Sequence, residues 1–501
     1  MAITARRATL RGFISGVMAG LVLVALMYVL NLLTGLSPLP QLLQQPLLNA
    51  MPGFVFGFLI DSLQHAGKVV EEAGLIVAML VGLGVLGGAW GWARQRWPAD
   101  RLALIFAAVG WVVVTMVLLP LSGAGFLGLN QSVLTPITWG ALFAVYGAVL
   151  QAAGDPGADL GLDAGRRQML RLLPFGVAAL SLGVLGFRLV PRWYQTIFIA
   201  PEAGVVGPSP ELTPAANFYV VSKNFGDPVV DEAGWSLSVG GLADHPLKLS
   251  LTDLRQLPSA IEFVTLECIS NDIGGPLMST GSFTGVRLRE LLALASPQSR
   301  GSWAAFKGRD GYLESLPLSL IEGAPEILIA YELDGAPLPT SHGFPARVLI
   351  PGHYGMKGPK WLDSIDLVDH ESGGYWEQQG WDHNAVVKTT SRFDIPRDGD
   401  TVKLGPVDLF GVAFSGTRGI RGVECSTDGG HTWSPADFKP ALSALTWVLW
   451  RASWSPSSEG AHTLQVRAVD SVGAAQEPAS APSYPAGATG YHTIRVDVSR
   501  S

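Results

Sequence analysis

The chain has 501 residues, of which 48% are hydrophobic and 15% are charged, and it contains two cysteines. At ~150 residues per domain, this length predicts about three domains. The low charge and high apolar content exclude a disordered chain and argue against a purely soluble enzyme. Two cysteines are too few for a disulfide framework or for a four-thiolate zinc or iron–sulfur site.

Charge is unevenly distributed along the chain. The first 195 residues hold 12 Lys+Arg against 7 Asp+Glu, a net charge of +5, whereas the remainder holds 22 against 34, a net charge of −12. The acidic remainder excludes a nucleic-acid partner, and arginine beside apolar segments is typical of a membrane region.

Five apolar stretches each approach the ~20 residues that a helix needs to cross a hydrocarbon core. We predict five transmembrane helices, four of them within residues 1–151 and a fifth after a cytoplasmic loop over 152–171. The apolar segment from Leu47 to Ile60 is broken by proline and glycine, and we expect it to lie at the interface as an amphipathic helix. The five stretches are residues 12–33, 73–92, 102–120, 133–151 and 172–190.

Arginine placement predicts the orientation of these helices. Clusters precede the first span, separate the second from the third, and precede the fifth, so the positive-inside rule places all three in the cytoplasm. The N-terminus is then cytoplasmic, and everything after residue 191 is extracytoplasmic on a multi-pass plasma-membrane protein. The clusters are Arg6, Arg7 and Arg11; Arg94, Arg96 and Arg101; and Arg166, Arg167 and Arg171.

The segment from Arg166 to Arg171 also resembles a twin-arginine export signal in an internal position. Export of this type moves proteins that are already folded, as a domain loaded with a cofactor in the cytoplasm would require. Paired arginines are equally ordinary as orientation charges, and both interpretations stay open.

The predicted spans contain no histidine, and His65 falls in an outside loop, so a haem held within the bilayer is disfavoured. They also contain no Asp or Glu that would mark a proton or ion path. We therefore expect this half to anchor the protein or to dock a partner. The glycine-rich run from Gly82 to Gly91 predicts close packing against another helix.

A Pro- and Gly-rich linker over residues 191–210 leads into a different pattern. Short β-branched or aromatic runs alternate with helical patches, which predicts an α+β domain over residues 211–395. In it, a strand-like segment from Phe263 ends at Cys268 and is followed by a loop that contains glycines. By itself Cys268 is a buried small hydrophobe, half of a disulfide with Cys425, or a metal ligand.

A second pattern lies about 75 residues downstream of the cysteine. His342 to Arg347 leads into a strand, and the turn from Gly355 to Leu362 contains two lysines and two glycines. Cations and backbone amides that converge in such a turn suit a phosphate-bearing ligand. A solvated loop and a hydrogen-bonded structural histidine are the alternatives.

These segments together resemble the sulfite oxidase family of molybdopterin enzymes. The resemblance covers about residues 211–498 and leaves out the first 190. Thr265 to Cys268 resembles the segment that bears the molybdenum-bound cysteine, and Ser282 to Val286 with Leu288 resembles the turn and helix that follow it. His342 to Arg347 and Gly355 to Leu362 resemble the pterin-binding segments.

The resemblance implies a molybdenum–molybdopterin cofactor with the Cys268 thiolate on the metal, beside the dithiolene and oxo groups of the cofactor. Such a ligand role argues against a disulfide to Cys425. The cofactor would be held by a further set of residues, namely Asp310, His342, Arg347, Lys357, Gly358 and Lys360. Asn217, Phe218 and Tyr219 resemble the segment that lines the metal in periplasmic methionine-sulfoxide reductases of this family.

Departures from the family pattern concern the substrate. Sulfite-oxidising members place an arginine shortly after the cysteine, whereas this chain has Asp272 there, and their active-site tyrosine falls near Trp381. We predict Asp272 and Trp381 as catalytic residues beside Cys268. An acid and an indole in place of a cation and a phenol disfavour a small dianion such as sulfite. A turn-capping acid and a packing indole are the alternatives.

Short strands and glycine-rich turns over residues 396–501 predict an all-β, immunoglobulin-like sandwich. The turn Asp428-Gly429-Gly430 with Trp433 resembles the dimerisation domain of the same family, which implies a homodimer. Cys425 alternates onto the same strand face as Val423, so we expect it to be a core thiol.

The sequence thus predicts a membrane-anchored, extracytoplasmic molybdopterin oxidoreductase that transfers two electrons and an oxygen atom to or from a small molecule other than sulfite. Because the sequence has no C-x-x-C-H haem attachment motif, electrons would pass through a separate cytochrome or membrane electron carrier. Two alternatives are a sulfite dehydrogenase or sulfoxide reductase of the same family, and a cofactor-free membrane scaffold or adhesion protein.

Overall fold

The computed structural model describes residues 2–34, 36–51, 55, 66–97, 102–154, 164–194, 207–224 and 227–500. These residues form two compact units, which we describe separately: a helical unit within the first 200 residues and a β-rich unit that follows. His65, most of the segment predicted to lie at the interface and most of the linker over 191–210 fall outside the described residues.

Long helices make up the helical unit. The fourth helix continues through a π-helical segment, Val114–Leu118, into a short turn, Leu119–Leu121. The sixth helix begins within the predicted cytoplasmic loop, so Arg166, Arg167 and Arg171 lie on a helix. The helices are α1 (Ala2–Thr34), α2 (Leu39–Ala50), α3 (Ala66–Ala93), α4 (Leu102–Val113), α5 (Thr135–Gly154) and α6 (Ala164–Tyr194).

Three helical segments among the described residues are long and apolar enough to cross a membrane: Arg6–Thr34, Val69–Ala93 and Leu102–Leu121. They match the first three predicted spans and are compatible with membrane anchoring. Helices α5 and α6 coincide with the fourth and fifth, but α6 provides only the shorter apolar segment Gly176–Pro191. The predicted count of five spans is therefore not confirmed. In α5, the mean hydropathy is lowered by Thr, Trp, Tyr and Gln side chains.

Helices α1 and α3 pack through glycines. A Cβ atom placed on Gly87 would lie 2.5 Å from the Gly12 carbonyl oxygen and 2.6 Å from the Gly16 Cα atom, and one on Gly91 would lie 2.5 Å from the Ala8 carbonyl oxygen. The backbones therefore touch along an antiparallel pair, as small residues allow. The predicted close packing of the glycine-rich run is confirmed.

Two acidic residues, Glu71 and Glu72, lie inside one apolar segment, whereas the predicted span begins at residue 73 and contains none. Helix α3 begins at Ala66, about two turns before the predicted span, so Glu72 falls within the apolar segment Val69–Ala93. Its side chain is 1% exposed and accepts hydrogen bonds from Tyr28 Oη (3.0 Å) and Trp193 Nε1 (2.8 Å). One carboxylate thus joins α1, α3 and α6.

The β-rich unit begins with an α+β region, as predicted. One sheet contains β1 (Leu237–Gly241), β2 (Leu247–Leu249), β5 (Trp303–Gly308), β6 (Leu313–Pro317) and β10 (Leu362–Val368), in the order β2-β1-β10-β5-β6. A second sheet contains β3 (Ser259–Glu267), β4 (Met278–Arg287), β7 (Leu328–Leu333), β8 (Ala336–Pro337) and β9 (Arg347–Leu349). The helices here are α7 (Leu251–Gln256), α8 (Leu288–Ala295) and α9 (Leu318–Gly323).

Strand register places the key residues at strand ends. Strands β3 and β4 pair through Glu267 and Met278, so Cys268 is the first residue beyond the ladder. Strand β9 begins at Arg347, which pairs with Ala330 of β7. Residues at strand ends point functional groups into loops while the sheet holds their backbone in place.

The last region is all-β, as predicted, but the immunoglobulin-like arrangement is not confirmed. Because β15 pairs with both β14 and β16, all eight strands form one hydrogen-bonded order, β11-β13-β16-β15-β14-β17-β18-β12. Val423 and Cys425 lie together in the core, as expected. The strands are β11 (Thr390–Ile395), β12 (Thr401–Lys403), β13 (Val407–Phe414), β14 (Ile420–Ser426), β15 (Ser434–Phe438), β16 (Val448–Trp454), β17 (Gly460–Asp470) and β18 (His492–Ser499).

Candidate functional site

A cavity opens in the β-rich unit. Its wall is assembled from loops that are far apart in sequence, which is typical of ligand sites built on a rigid scaffold. Five segments contribute most of the wall: residues 218–223, 266–270, 341–347, 355–361 and 376–381.

Cys268 lines this cavity and is 9% exposed. Its amide donates to the Leu277 carbonyl (3.0 Å), and its Sγ atom lies 3.1 Å from Ser270 Oγ. The two described cysteines are not joined by a disulfide. Cys425 lies in the core of the last region, where burial raises the pKa of its thiol to about 12. The disulfide alternative is therefore wrong, and the thiol that lines this cavity is that of Cys268, a soft donor of the kind that binds soft metals.

Arg347 is the most deeply buried cation of the cavity wall. Burial lowers the pKa of its guanidinium group. Its Nη1 donates to the His342 carbonyl at 3.5 Å and its Nη2 to the Gly358 carbonyl at 3.4 Å, which are long distances for such bonds. Among the residues that the structure describes, its buried Nε has no hydrogen-bond partner. The group therefore retains capacity for an anionic ligand.

Two lysines add positive charge to the same wall. Lys360 Nζ donates to the carbonyls of Ser341 (2.8 Å) and Val221 (3.2 Å). Lys223 Nζ donates to the Asp310 carbonyl (2.8 Å) and lies 3.7 Å from Asp310 Oδ2. Burial lowers the pKa of Lys223, against the opposing effect of Asp310. The two ammonium groups thus place positive charge at the wall, which suits an anionic ligand such as a phosphate.

His342 lies beside these cations as a neutral ring. Burial, Arg347 and Lys360 lower its pKa to about 4. Its ring meets the edge of Phe218 at 5.3 Å, and Phe218 stacks on Tyr219 at 5.9 Å. A neutral imidazole on an aromatic support can hydrogen-bond a heterocycle without adding charge.

The chemistry of this donor set fits a molybdopterin cofactor. The cavity offers one thiol for a soft metal, three cations for a phosphate, and a neutral ring for the pterin. The unsatisfied Nε of Arg347, within the described part of the chain, is a buried donor whose desolvation cost a bound anion would offset.

Aromatic and aliphatic side chains also line the cavity. Trp376, Trp381, Ile269 and Met356 line it. Trp381 is 3% exposed and meets Tyr484 edge-to-face at 5.2 Å. Its buried indole Nε1 finds no acceptor in the described structure. This wall therefore offers apolar surface with one unsatisfied donor.

The structure brings most of the predicted site residues to the cavity, but not all of them. Asp272 is exposed in a turn, where its carbonyl accepts from the Gly275 amide (2.8 Å), and it does not line the cavity. Asn217 is likewise exposed, and its amide donates to the Pro214 carbonyl. The predicted residues in the wall are Phe218, Tyr219, Cys268, Asp310, His342, Arg347, Gly358, Lys360 and Trp381.

Lys357, predicted to bind the cofactor, has a different environment. It is 4% exposed, and its Nζ lies 2.7 Å from Glu314 Oε1 and 2.5 Å from Glu377 Oε1. Burial alone would lower its pKa, but the two carboxylates raise it. The ammonium group is thus satisfied by protein carboxylates away from the cavity lining, which corrects the prediction.

Sequence reasoning missed several lining residues. Lys223 and Tyr312 are two of them, and both lie close in sequence to predicted positions. The position of Tyr312, two residues after Asp310, could have indicated that it lines the site. Ser270 lies two residues after the cysteine. Lys223 and Trp376 belong to none of the predicted binding motifs. Only the fold brings them to this wall.

Two domain families match the β-rich unit. The oxidoreductase molybdopterin binding domain matches residues 224–376, and the Mo-co oxidoreductase dimerisation domain matches residues 382–499. A crystal structure of the sulfane dehydrogenase SoxCD from Paracoccus pantotrophus has a similar fold, with 21% identity and a TM-score of 0.51 over 60% of this chain and 86% of that chain.

Sulfite oxidases are similar in sequence. The chain is 32% identical to the mitochondrial sulfite oxidase of Homo sapiens. The match covers 46% of this chain and 51% of that protein, so the chain spans about half the length of this relative. It is 31% identical to the sulfite oxidase of Arabidopsis thaliana, over 47% of this chain and 72% of that protein. The chain therefore belongs to the sulfite oxidase family of molybdopterin-dependent oxidoreductases.

Proposed function

We propose that this protein uses a molybdenum–molybdopterin cofactor to move two electrons and an oxygen atom to or from a small molecule. One observation carries the proposal: the Cys268 thiol and the Arg347 Nε, which lacks a partner among the described residues, line the same cavity. A soft metal ligand and a buried cation with an unsatisfied donor lie in one cavity. Together they suit a cofactor that consists of a metal and a phosphate-bearing organic group.

Each side chain has a definite task in this proposal. Cys268 supplies its thiolate, Arg347 and Lys360 hold the phosphate and pterin, and Lys223, which pairs with Asp310, adds positive charge to the wall. His342 stays neutral at physiological pH and hydrogen-bonds the heterocycle. When bound, the cofactor supplies oxygen-atom transfer coupled to a two-electron change. The protein excludes water and orients the substrate through Trp376 and Trp381.

The substrate we propose is an uncharged molecule rather than sulfite. The described cations of the lining belong to the segments that hold the cofactor, whereas the wall that contains Trp376 and Trp381 is aromatic. The indole N–H of Trp381 can donate a hydrogen bond to an oxygen of the substrate. As a neutral group, it does not compensate the double negative charge of sulfite. Aryl and alkyl sulfoxides or N-oxides fit this wall. Sulfite dehydrogenation is the rival, and sulfite-dependent dye reduction tests it.

We further propose that the helical unit anchors the enzyme with its catalytic region outside the cytoplasm. Because α1 and α3 are antiparallel, Arg11 and Arg94 lie at the same end of the unit. The contacts of Glu72 with Tyr28 and Trp193 mark the opposite end, where α6 ends at Tyr194. The arginine-rich end is expected in the cytoplasm.

Partners follow from the same proposal. Electrons must reach or leave the site through a separate redox protein, a cytochrome or a membrane electron carrier. The region over residues 382–499 matches a dimerisation domain, which supports a homodimer.

The test is molybdenum content by elemental analysis, with pterin fluorescence, on detergent-purified protein and on Cys268→Ser. Near-stoichiometric metal in the wild type, with an altered metal spectrum in the variant, is the expected result. Absence of metal from both proteins, produced in a host that makes the cofactor, would refute the proposal and favour the scaffold alternative.

A further inference from the structure

A buried cluster of three charged residues lies behind the cavity wall. Lys357 Nζ contacts Glu314 (2.7 Å) and Glu377 (2.5 Å), and the side-chain exposures are 5%, 0% and 1%. None of the three is among the described lining residues. We call Glu314, Lys357 and Glu377 the buried triad.

Each member of the triad lies next to a residue that does line the cavity. Lys357 directly follows Met356, Glu377 directly follows Trp376, and Glu314 lies two residues after Tyr312. The chain segments are also joined directly, since Tyr312 Oη donates to the Met356 carbonyl at 2.6 Å. The triad therefore connects three separate parts of the wall from behind.

The segment 374–381, which we call the tryptophan turn, includes both wall tryptophans. Glu377 Oε2 accepts from the Gly374 amide (2.7 Å), so one carboxylate closes the turn and joins it to Lys357. The Tyr375 amide also donates to the Leu313 carbonyl, and Tyr484 Oη lies 3.5 Å from the Gln379 carbonyl. Glu377 is the side chain of the turn that enters the triad.

The turn also packs directly on Glu314. A Cβ atom on Gly374 would lie 2.6 Å from Glu314 Oε2, so only glycine fits there without displacement of the carboxyl group. Burial raises the pKa of Glu314 to about 8, against the effect of Lys357.

We propose that Glu377 is a positioning residue that holds Trp376 and Trp381 in the cavity wall through its contact with Lys357. This inference rests on the proposed function, in which these tryptophans face the substrate. It also assigns Lys357 to the wall rather than to the cofactor. Buried charges that pair with one another are one means of specifying a single arrangement of neighbouring segments.

The experiment compares Glu377→Ala with two controls in the full-length protein. Alanine removes the anchor but leaves Lys357 paired with Glu314, so no buried charge is left alone. Glu377→Gln keeps the length of the side chain but has a single acceptor oxygen, so it can accept from Lys357 or from the Gly374 amide and not from both. Gln378→Ala changes an exposed neighbour in the same turn. Hydrogen exchange of the peptide over 374–381 and molybdenum content are measured for each.

We expect exchange in the tryptophan turn to accelerate roughly tenfold or more in Glu377→Ala, since a hydrogen bond to a charged group is lost. Gln378→Ala is expected to stay within about threefold of the wild type, and Glu377→Gln, which keeps one of the two bonds, is expected to lie between the wild type and Glu377→Ala. Molybdenum content should be the same in all four proteins. If Glu377→Ala does not fold, Glu377→Asp replaces it, because it withdraws the carboxylate by one methylene and should show the same acceleration.

Unchanged exchange in Glu377→Ala, or equal acceleration in Gln378→Ala, would overturn the inference. Loss of molybdenum from Glu377→Ala with unchanged exchange would also overturn it, because the triad would then serve the cofactor. Absence of molybdenum from the wild type refutes the proposed function alone, and the exchange comparison still decides whether Glu377 positions the turn.

Discussion

Replacement of Arg347 by methionine separates binding of the cofactor from stability of the fold. Arg347 is 6% exposed, and its two bonds to the carbonyls of His342 and Gly358 are 3.5 and 3.4 Å long. Its Nε has no hydrogen-bond partner within the described structure. Methionine fills a similar volume without charge.

The two consequences differ in size. Two long carbonyl bonds contribute at most about 0.5 kcal/mol each, and removal of a buried cation relieves its desolvation penalty, so the free energy of unfolding should change by less than about 1 kcal/mol. A phosphate would lose about two charge-assisted bonds of about 1.5–3 kcal/mol each. At 1.4 kcal/mol per factor of ten, cofactor affinity should fall by roughly 10²- to 10⁴-fold.

The assay measures molybdenum and pterin per protein after purification, and thermal unfolding of protein from a host that cannot make the cofactor. Arg309→Met is the matched control, because Arg309 is half-exposed and pairs with Asp363 outside the lining. We expect Arg347→Met to lose the cofactor and to keep its unfolding temperature within a few degrees. Full cofactor content in Arg347→Met, or a large loss of stability without cofactor, would refute the reasoning.

Three further predictions follow. Cys268→Ser should fold and lose one sulfur ligand by X-ray absorption, whereas Cys425→Ser should leave the metal unchanged; the same metal spectrum in both would contradict this. The Phe393 amide donates to His492 Nδ1 (2.9 Å), and burial lowers the His492 pKa to about 4. The unfolded chain protonates this histidine near pH 6.5, whereas the folded protein protonates it only near pH 4. The free energy of unfolding therefore falls as the pH drops from about 6.5 to about 4, by about 2 kcal/mol at pH 5. Thermal unfolding at pH 7 and pH 5 checks it, and an equal loss in His492→Gln would disprove it. Gly87→Leu should lower the unfolding temperature in detergent by several degrees, whereas a Cβ atom on Gly82 would meet nothing within 4 Å, so Gly82→Leu should be tolerated; equal effects would contradict the packing.

Local patterns predicted what depends on neighbours in sequence. The apolar stretches, the glycine-rich run of α3 and the strand before Cys268 are each visible in a window of ten to twenty residues, because helix and strand periodicity are short-range properties. The motif around Cys268 and His342 was likewise sufficient for the family. Helix ends were less predictable: α3 starts before the predicted span, so Glu72 was overlooked.

The sequence by itself determined the order of the regions, the family and the thiol that would bind a metal. Only the tertiary structure decided which polar residues face the cavity and which face one another. Lys357 and Lys360 are both lysines of one turn, yet Lys360 lines the cavity and Lys357 is buried between Glu314 and Glu377. Those carboxylates lie 43 and 20 residues away from Lys357 along the chain. Such a pairing depends on how strands and turns pack, and no local pattern encodes it.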